Sequence, residues 1–583
     1  MKISRNTVSI LLPLCVLPCA EAKQRPNIIV ILADDLGYMD VGGFASRVTG
    51  TAPAQMFYQT PNIDAMMGES LCFSQAQVSQ LSSPTRCALL TGRNPATVGF
   101  TTALPMRETW YHLGLTPPAG GYIHDVKEHY DNIPIQTAWL NAVSNSAIPA
   151  GTQYDNGRRV EIIPEIIKGY HSAFIGKWHV GGFGAEGYRP MDRGFTEAPA
   201  WFDAGGSLYF SWAGGWEQDI KARFPLSPQQ KIVLGNPGGK PRCEYLTDDL
   251  TAKALEFIDR RAGQSEPFLL YFAHFAIHEP LQAKKSDEEI FERSPNKGWG
   301  GHANVQYASL VKSLDDSVGA ILEKLRQKGI EENTVVIFLS DNGGIDAWVT
   351  PQRRGSNIWP YLGGKALLFE GGIKTPLIVR WKGKIEGGRW CDVAVDACDL
   401  LPTVMELSGD DPGRLYKKGG IDGRSWVPLF KDTESKRGKY SRREFYWHYP
   451  FNVAYLNPVD GLQLTPHSAV REGWLKLIFD WHGRLYLFDL KDDPYEHRNL
   501  AAQQPETTRR LFGKLVEWLE RSVERQYWPV VNPKYDPQKE ARKEVPFADL
   551  VRGYRMGKDV VGMAVVPDMS RLALPKVPEY PKQ

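Results

Sequence analysis

At 583 residues the chain is longer than one ordinary domain, and two domains are the first expectation. Hydrophobic residues at 42% and charged residues at 23% are the proportions of a globular protein, and a formal net charge of +2 offers no general field for nucleic acid or other polyanions. The chain opens with Lys2 and Arg5, then an apolar run over 8–17 that is too short to span a bilayer, then Ala20-Glu21-Ala22, a small-residue cleavage site. Residues 1–22 therefore read as a signal peptide, with 23–435 and 436–583 as the expected domains, and the expected location is periplasmic or secreted. No other segment reads as a membrane span. Five cysteines remain, Cys72, Cys87, Cys243, Cys391 and Cys398, an odd number in which Cys391 and Cys398 are candidates to pair.

Residues 27–33, Asn-Ile-Ile-Val-Ile-Leu-Ala, form a continuous apolar, β-branched run, expected as a central strand covered on both faces. It ends in Asp34-Asp35. Adjacent carboxylates repel unless a cation neutralises them, and the carboxyl end of a strand is where α/β sheets bind ligands. Thr60-Pro61-Asn62-Ile63-Asp64 opens a short helix. Next, Ser82-Ser83-Pro84-Thr85-Arg86 feeds the good helix formers of 88–90. Ser82 would sit at the helix start, near N–H groups that favour anions, and Arg86 lies one turn on, within reach of the same point. Residues 98–130 lack a period and read as a long surface loop beside the site.

The run 173–179, Ala-Phe-Ile-Gly-Lys-Trp-His, reads as a short strand whose alternate residues Lys177 and His179 face one cleft. Tryptophans among glycines at 201–216 suit either stacking on sugar rings, with Trp201 a candidate, or burial in a satellite cluster. A helix over 247–261 precedes a buried strand over 268–272. His274 and His278 then have a helical spacing that would suit zinc, but they follow a strand and run into Pro280, so a helix is not expected. His274 is open between packing and substrate contact. The amphipathic helix over 304–328 reads as scaffold. The strand 335–339 after it ends in Ser340-Asp341-Asn342, a second carboxylate with an amide at a strand end, and the helix-then-strand order implies a parallel sheet.

Gly363-Gly364-Lys365 and Glu370-Gly371-Gly372-Ile373-Lys374-Thr375-Pro376 follow, then a strand over 376–381 and a helix over 396–405. Beyond a polar stretch at 431–443 come strands at 445–448, 468–471, 474–479 and 486–489, the string Asp493-Pro494-Tyr495-Glu496, and a helix over 505–525. The Pro-rich tail, 528–583, is expected to wrap the surface with no core of its own.

Taken together and in this order, the motifs resemble the type I sulfatases of the alkaline phosphatase superfamily over nearly the whole chain. The resemblance implies an α/β fold: an alkaline-phosphatase-like mixed, largely parallel sheet sandwiched by helices, with a smaller C-terminal subdomain on a four-stranded antiparallel sheet. It places Ser82 where the family carries the residue oxidised to formylglycine, here the serine variety, which implies a serine-type sulfatase-maturing radical enzyme as partner. Asp34, Asp35, Asp341 and Asn342, with Ser82, match the family's calcium site. Such a set of hard oxygens suits calcium or magnesium rather than the zinc of the related phosphatases.

Arg86, Lys177 and Lys365 match sulfate-binding positions, His179 a residue that orients or relays a proton at the nucleophile, and His278 the acid on the leaving alkoxide. His467 is added as a candidate sugar contact. The chain departs from the family pattern at Thr85, at Tyr361-Leu362 where an arginine is frequent, and at Lys374, which replaces arginine. The implied activity is removal of O-sulfate from a sulfated carbohydrate. A phosphate or phosphonate monoester hydrolase of the same superfamily and a non-catalytic glycan-binding relative are the alternatives.

Overall fold

The computed structural model describes residues 25–569 except 104–122, 126–138, 183–185, 211–234, 237–242, 297–302, 346–354, 432–437, 460–462, 532–535, 539–546 and several single or paired positions. The signal-peptide reading, most of the loop expected at 98–130, Trp212, Trp216 and residues 570–583 therefore lie outside the described residues.

Among the described residues the principal sheet has nine strands. In chain order they are Asn27–Ala33 (β1), Leu71–Phe73 (β2), His171–Lys177 (β3), Glu197–Phe202 (β4), Gly235–Asn236 (β5), Phe268–Ala273 (β6), Thr334–Ser340 (β7), Leu377–Arg380 (β8) and Arg389–Cys391 (β9). Their spatial order is β9-β2-β8-β7-β1-β6-β3-β4-β5. The run β7-β1-β6-β3-β4 is parallel, and β8 and β5 run antiparallel to their inner neighbours.

The pleat explains why β1 reads as apolar throughout. Ile28, Val30 and Leu32 enter one core with the helices Ser82–Thr91 and Leu400–Leu407, whereas Ile29, Ile31 and Ala33 enter the opposite core. We label the helices in chain order: Pro61–Gly68 (α1), Ser82–Thr91 (α2), Leu246–Arg261 (α3), Val305–Gln327 (α4) and Leu400–Leu407 (α5). α1, α3 and α4 cover the second face. Asn304 caps α4, its side chain accepting from the Tyr307 N–H, and the expected apolar stripe from Tyr307 through Leu325 is buried.

The C-terminal sheet is an antiparallel meander of Glu444–Tyr449 (β10), His467–Glu472 (β11), Leu475–Asp480 (β12) and Arg484–Asp489 (β13). One face, through Val470, Leu477, Phe479 and Leu487, packs on the helix Pro505–Ser522 (α6). The other face packs on the connection between β7 and β8, through Leu367, Phe369 and Ile373. The tail departs from expectation. Phe547, Leu550 and Val551 of the helix Phe547–Arg555 (α7) are buried in the C-terminal core, with Phe547 4.3 Å from the Trp481 ring. Apolar residues in that helix recur one turn apart, and the abundance of prolines around them hid the period. All five cysteines of the described chain are free, Cys391 and Cys398 included. Among the described residues no helix is long and apolar enough to cross a membrane.

Candidate active site

Four strand ends on the same edge of the principal sheet deliver the site. β1 ends in Asp34 and Asp35, β7 in Asp341 and Asn342, β3 in Lys177, and β6 leads to His278. Parallel neighbours place their carboxyl ends together, so residues more than three hundred apart in sequence meet. The Asp35 N–H donates to Asp341 Oδ1 at 3.2 Å, and Asn342 Nδ2 donates to Asp35 Oδ1 at 2.8 Å. The N-terminus of α2 points into this edge. Ser82, 2% exposed, is its first residue, and its Oγ lies 3.2 Å from both Asp34 Oδ1 and Asn342 Oδ1.

Cations surround the carboxylates. Arg86 donates to Asp341 Oδ2 from Nε at 3.1 Å and Nη2 at 2.7 Å, and to the Lys177 carbonyl at 2.7 Å. Lys177 Nζ is 2.6 Å from Asp34 Oδ2, and Lys365 Nζ is 2.7 Å from Asp35 Oδ2. Burial, with Asp341 and Asp35 alongside, pushes Asp34 well above the usual carboxylate range despite Lys177. Burial works against ionisation of Asp35 too, but Lys365, His278 and Lys177 outweigh it and hold that group well below the range. Crowded carboxylates with one forced upward are what a hard divalent cation relieves. The oxygens of Asp34, Asp35, Asp341, Asn342 and Ser82 therefore fit such an ion. Atoms of Asp34, Asp35 and His278 also lie within 4.8 Å of one another, so an imidazole borders the same space.

His278 Nε2 is 3.6 Å from Asp35 Oδ2, and its Nδ1 sits 2.7 Å from the Glu279 carbonyl, so Nδ1 carries the hydrogen. Burial, then Lys365, pushes this imidazole down to about 3, and it is neutral as it stands.

Several expectations need correction. β3 ends at Lys177, and His179 has φ of +48°, so the two do not alternate along one strand. The chain turns instead, and His179 reaches the site by a different route, against Gly205. A Cβ on Gly205 would lie 3.4 Å from His179 Nε2, and one on Gly206 would lie 3.1 Å from His278 Nδ1. Gly205 also accepts from Lys177 Nζ at 2.6 Å. This glycine pair, missed in the sequence, gathers Lys177, His179 and His278. Its glycines lie in the Trp- and Gly-rich stretch at 201–216, where the absence of a Cβ is what lets the imidazoles approach.

Trp201 is 5% exposed and packed within the first core, so it presents no face to a sugar. Trp201→Ala is therefore expected to cost about 3–5 kcal/mol of stability, the scale for emptying a large aromatic site. Denaturant titration checks the loss, and KM of the folded fraction should stay unchanged. His274 is fully buried, its Nε2 3.2 Å from Ser317 Oγ on α4, and burial pushes it down to about 3. It is a packing residue rather than a substrate contact. His467 is 4% exposed on β11, in the C-terminal sheet, with its ring 5.5 Å from that of Tyr449.

α4 is more than scaffold. Tyr307 OH donates to Asp40 Oδ2 at 2.7 Å, and that carboxylate also accepts from the Gly37 N–H at 2.8 Å and from Ser356 Oγ. Asp40 thus ties down the turn that holds Asp35 at φ of +62°.

The sequence profile of the family described as Sulfatase matches residues 26–409, and that described as N-sulphoglucosamine sulphohydrolase, C-terminal, matches 361–524. The chain is 30% identical over 416 residues to the N-acetylgalactosamine-6-sulfatase of Mus musculus, covering 69% of this chain and 66% of that one, so it spans about two thirds of that relative's length. It is 27% identical over 542 residues to a sulfatase of Formosa agariphila, covering 86% of this chain and 89% of the relative. Among solved structures it resembles Ps i-CgsB in complex with k-i-k-neocarrahexaose, at 26% identity and a TM-score of 0.66, covering 87% of this chain and 95% of that one. The profile runs from β1 through α2 to α5, across every strand end that carries the carboxylates, and the chain belongs to the sulfatase family of the alkaline phosphatase superfamily.

Proposed function

We propose that the protein hydrolyses O-sulfate esters of carbohydrates, with Ser82, oxidised to formylglycine, as nucleophile and calcium held by Asp34, Asp35, Asp341 and Asn342. The observation that carries this is the position of Ser82 Oγ, 3.2 Å from two of those oxygens at a helix N-terminus. An unmodified serine is a weak nucleophile and would leave a stable sulfate ester, whereas the hydrated aldehyde carries a second hydroxyl that allows sulfate to be expelled. The ion would supply Lewis acidity beside the sulfate and favour the ionised nucleophile.

The residues account for the rest. Asp34, Asp35 and Asp341 are matched by Arg86, Lys177 and Lys365, so a divalent cation entering with a sulfate ester monoanion and an ionised nucleophile would leave the buried charge balanced. Arg86, Lys177 and Lys365 would hold the sulfate oxygens and offset charge in the transition state. Sulfate drawing Lys365 away would raise His278 towards protonation, which suits it to give a proton to the departing alkoxide. His179, held by Gly205, would orient the nucleophile. The mouse relative's name and the oligosaccharide bound to Ps i-CgsB support a sulfated sugar as substrate. A periplasmic or secreted location, read from the first 22 residues, and a serine-type maturase belong to the same proposal.

The test is to co-express the chain with a serine-acting maturase, weigh the peptide containing residue 82, and screen the matured protein against defined sulfated oligosaccharides. An N-acetylgalactosamine 6-sulfate and a neocarrahexaose are the first to try. Sulfate release tracking the oxidised fraction is expected. Full activity with intact serine would remove the nucleophile assignment, and preference for aryl phosphate over aryl sulfate would remove the sulfatase activity.

A further inference from the structure

The connection from β7 to β8 does more than carry Lys365. Its backbone is stitched to two parts of the site. Lys365 N donates to Gly344 O at 3.0 Å, and Gly343 N to Gly372 O at 2.9 Å, on the turn that holds Asp341 and Asn342. Ala366 N donates to Gln80 O at 2.8 Å, and Val78 N to Ile373 O at 2.8 Å, on the approach to Ser82. A Cβ on Gly343 would lie 1.8 Å from Gly371 O, so this contact admits only glycine.

The far side of the connection rests on the C-terminal sheet. Most of that interface is apolar, with Leu367, Phe369 and Ile373 beside Trp447, Ile478 and Phe488. Within it sits a buried charge cluster. Glu370, 1% exposed, lies five residues after Lys365. Its Oε1 is 2.9 Å from Lys476 Nζ of β12, and its Oε2 accepts from Gln77 Nε2 at 3.0 Å. Lys476 also meets Glu496 at 2.9 Å, and Glu496 Oε2 accepts the Glu370 N–H at 2.6 Å. Both Lys476 and Glu496 are fully buried.

Apolar packing tolerates small slips, whereas a buried ion pair with directed hydrogen bonds sets one register. We propose that Lys476 and Glu496 are positioning residues that act through Glu370 to hold Lys365 in register with Ser82 and the turn of Asp341 and Asn342. The C-terminal sheet thereby completes a sulfate-binding group that it does not itself contain. This rests on the proposed role of Lys365.

A double-substitution cycle on the full calcium-loaded chain tests it, reading inorganic sulfate binding by calorimetry alongside kcat and KM. Lys476→Met is expected to weaken sulfate binding roughly tenfold and to lower kcat/KM by roughly 10- to 100-fold, the scale of an ångström-sized misplacement. In a Lys365→Ala background the same substitution should change sulfate binding by less than about twofold, because nothing is left to misplace. Equal losses in both backgrounds, or unchanged sulfate affinity in Lys476→Met, would overturn the proposal. Glu496→Gln, which keeps the shape, runs through the same cycle should Lys476→Met fail to fold. Failure of both to fold would mean that the cluster holds the fold rather than Lys365, and would overturn it. Wild-type protein that binds no sulfate would also overturn it. Protein that binds sulfate but releases none from any ester would overturn only the proposed function.

Discussion

Ser82→Ala is expected to abolish sulfate release, by on the order of 10⁴-fold or more, the scale for removing a covalent nucleophile. The fold should survive. Oγ is the only atom lost, and its partners Asp34 and Asn342 keep other bonds, to Lys177 and to the Gly343 carbonyl. Thermal unfolding would show a transition close to that of the parent, and single-turnover assays would show no burst. Ser82→Cys separates two origins of the loss. A maturase that accepts only serine leaves it inactive with an unmodified thiol, visible as the peptide mass. Turnover in Ser82→Ala above about one hundredth of the parent rate would show that the reaction proceeds without this residue.

Removing the cation is the second large effect. Chelation should stop turnover, and calcium should restore it together with the melting temperature. At one hundred times Kd a ligand that binds only the folded state adds about 2.7 kcal/mol. Asp341→Asn should abolish that gain and cost on the order of 10³-fold in rate, because Arg86 loses the nearer of its two carboxylate partners while the ion loses a charged ligand. The gain should shrink as pH falls, since protons compete for the carboxylates, beginning with Asp34, which burial and its neighbours already push upward. Scanning calorimetry across pH with and without calcium measures both. A calcium gain equal in the parent and in Asp341→Asn would place the ion elsewhere.

The buried cluster at the second sheet has its own pH signature. Burial pushes Glu496 up to about 7 against Lys476, while Glu370, also buried, is held down at about 2 by Lys476 and Arg471. Burial pushes Lys374 down to about 8, where it lies 5.0 Å and 4.9 Å from the rings of Tyr38 and Tyr361. For Glu496 the folded value exceeds the unfolded one, so its contribution is complete below the ordinary carboxylate range and is lost as pH rises through about 7. Glu370 is the opposite case, losing its contribution as pH falls towards about 2. The difference in denaturant midpoint between the parent and Glu496→Gln should therefore change between about pH 5 and pH 7, the parent losing stability relative to the variant as pH rises. A parent slope retained in that variant would assign the decline to another group.

Local signals were strong wherever one residue type does one local job. β1 was legible because a strand buried on both faces needs unbroken apolar residues, and α4 because a helix facing one core repeats its apolar positions every turn. The carboxylates at the ends of β1 and β7 were legible because two adjacent acids after one buried strand, and an acid with an amide after another, have few bland explanations. Trp201 and His274 misled because a ring looks the same in sequence whether it faces a core or a cleft. α7 misled because frequent prolines masked a helix that α6 and β12 cover.

The sequence by itself therefore determined the central strands β1, β6 and β7, the helix α4, the family, and the chemical kinds of group at the carboxyl edge. Only the tertiary structure decided that Gly205 and Gly206 gather the cation and imidazoles, that Tyr307 and Asp40 brace the turn of Asp35, and that Lys476 and Glu496 lie against the connection holding Lys365. The reason is range. Strand and helix patterns are written in neighbours a few residues apart, whereas these contacts join segments separated by up to 267 positions, as between Tyr307 and Asp40, and depend on which faces the two sheets turn towards each other.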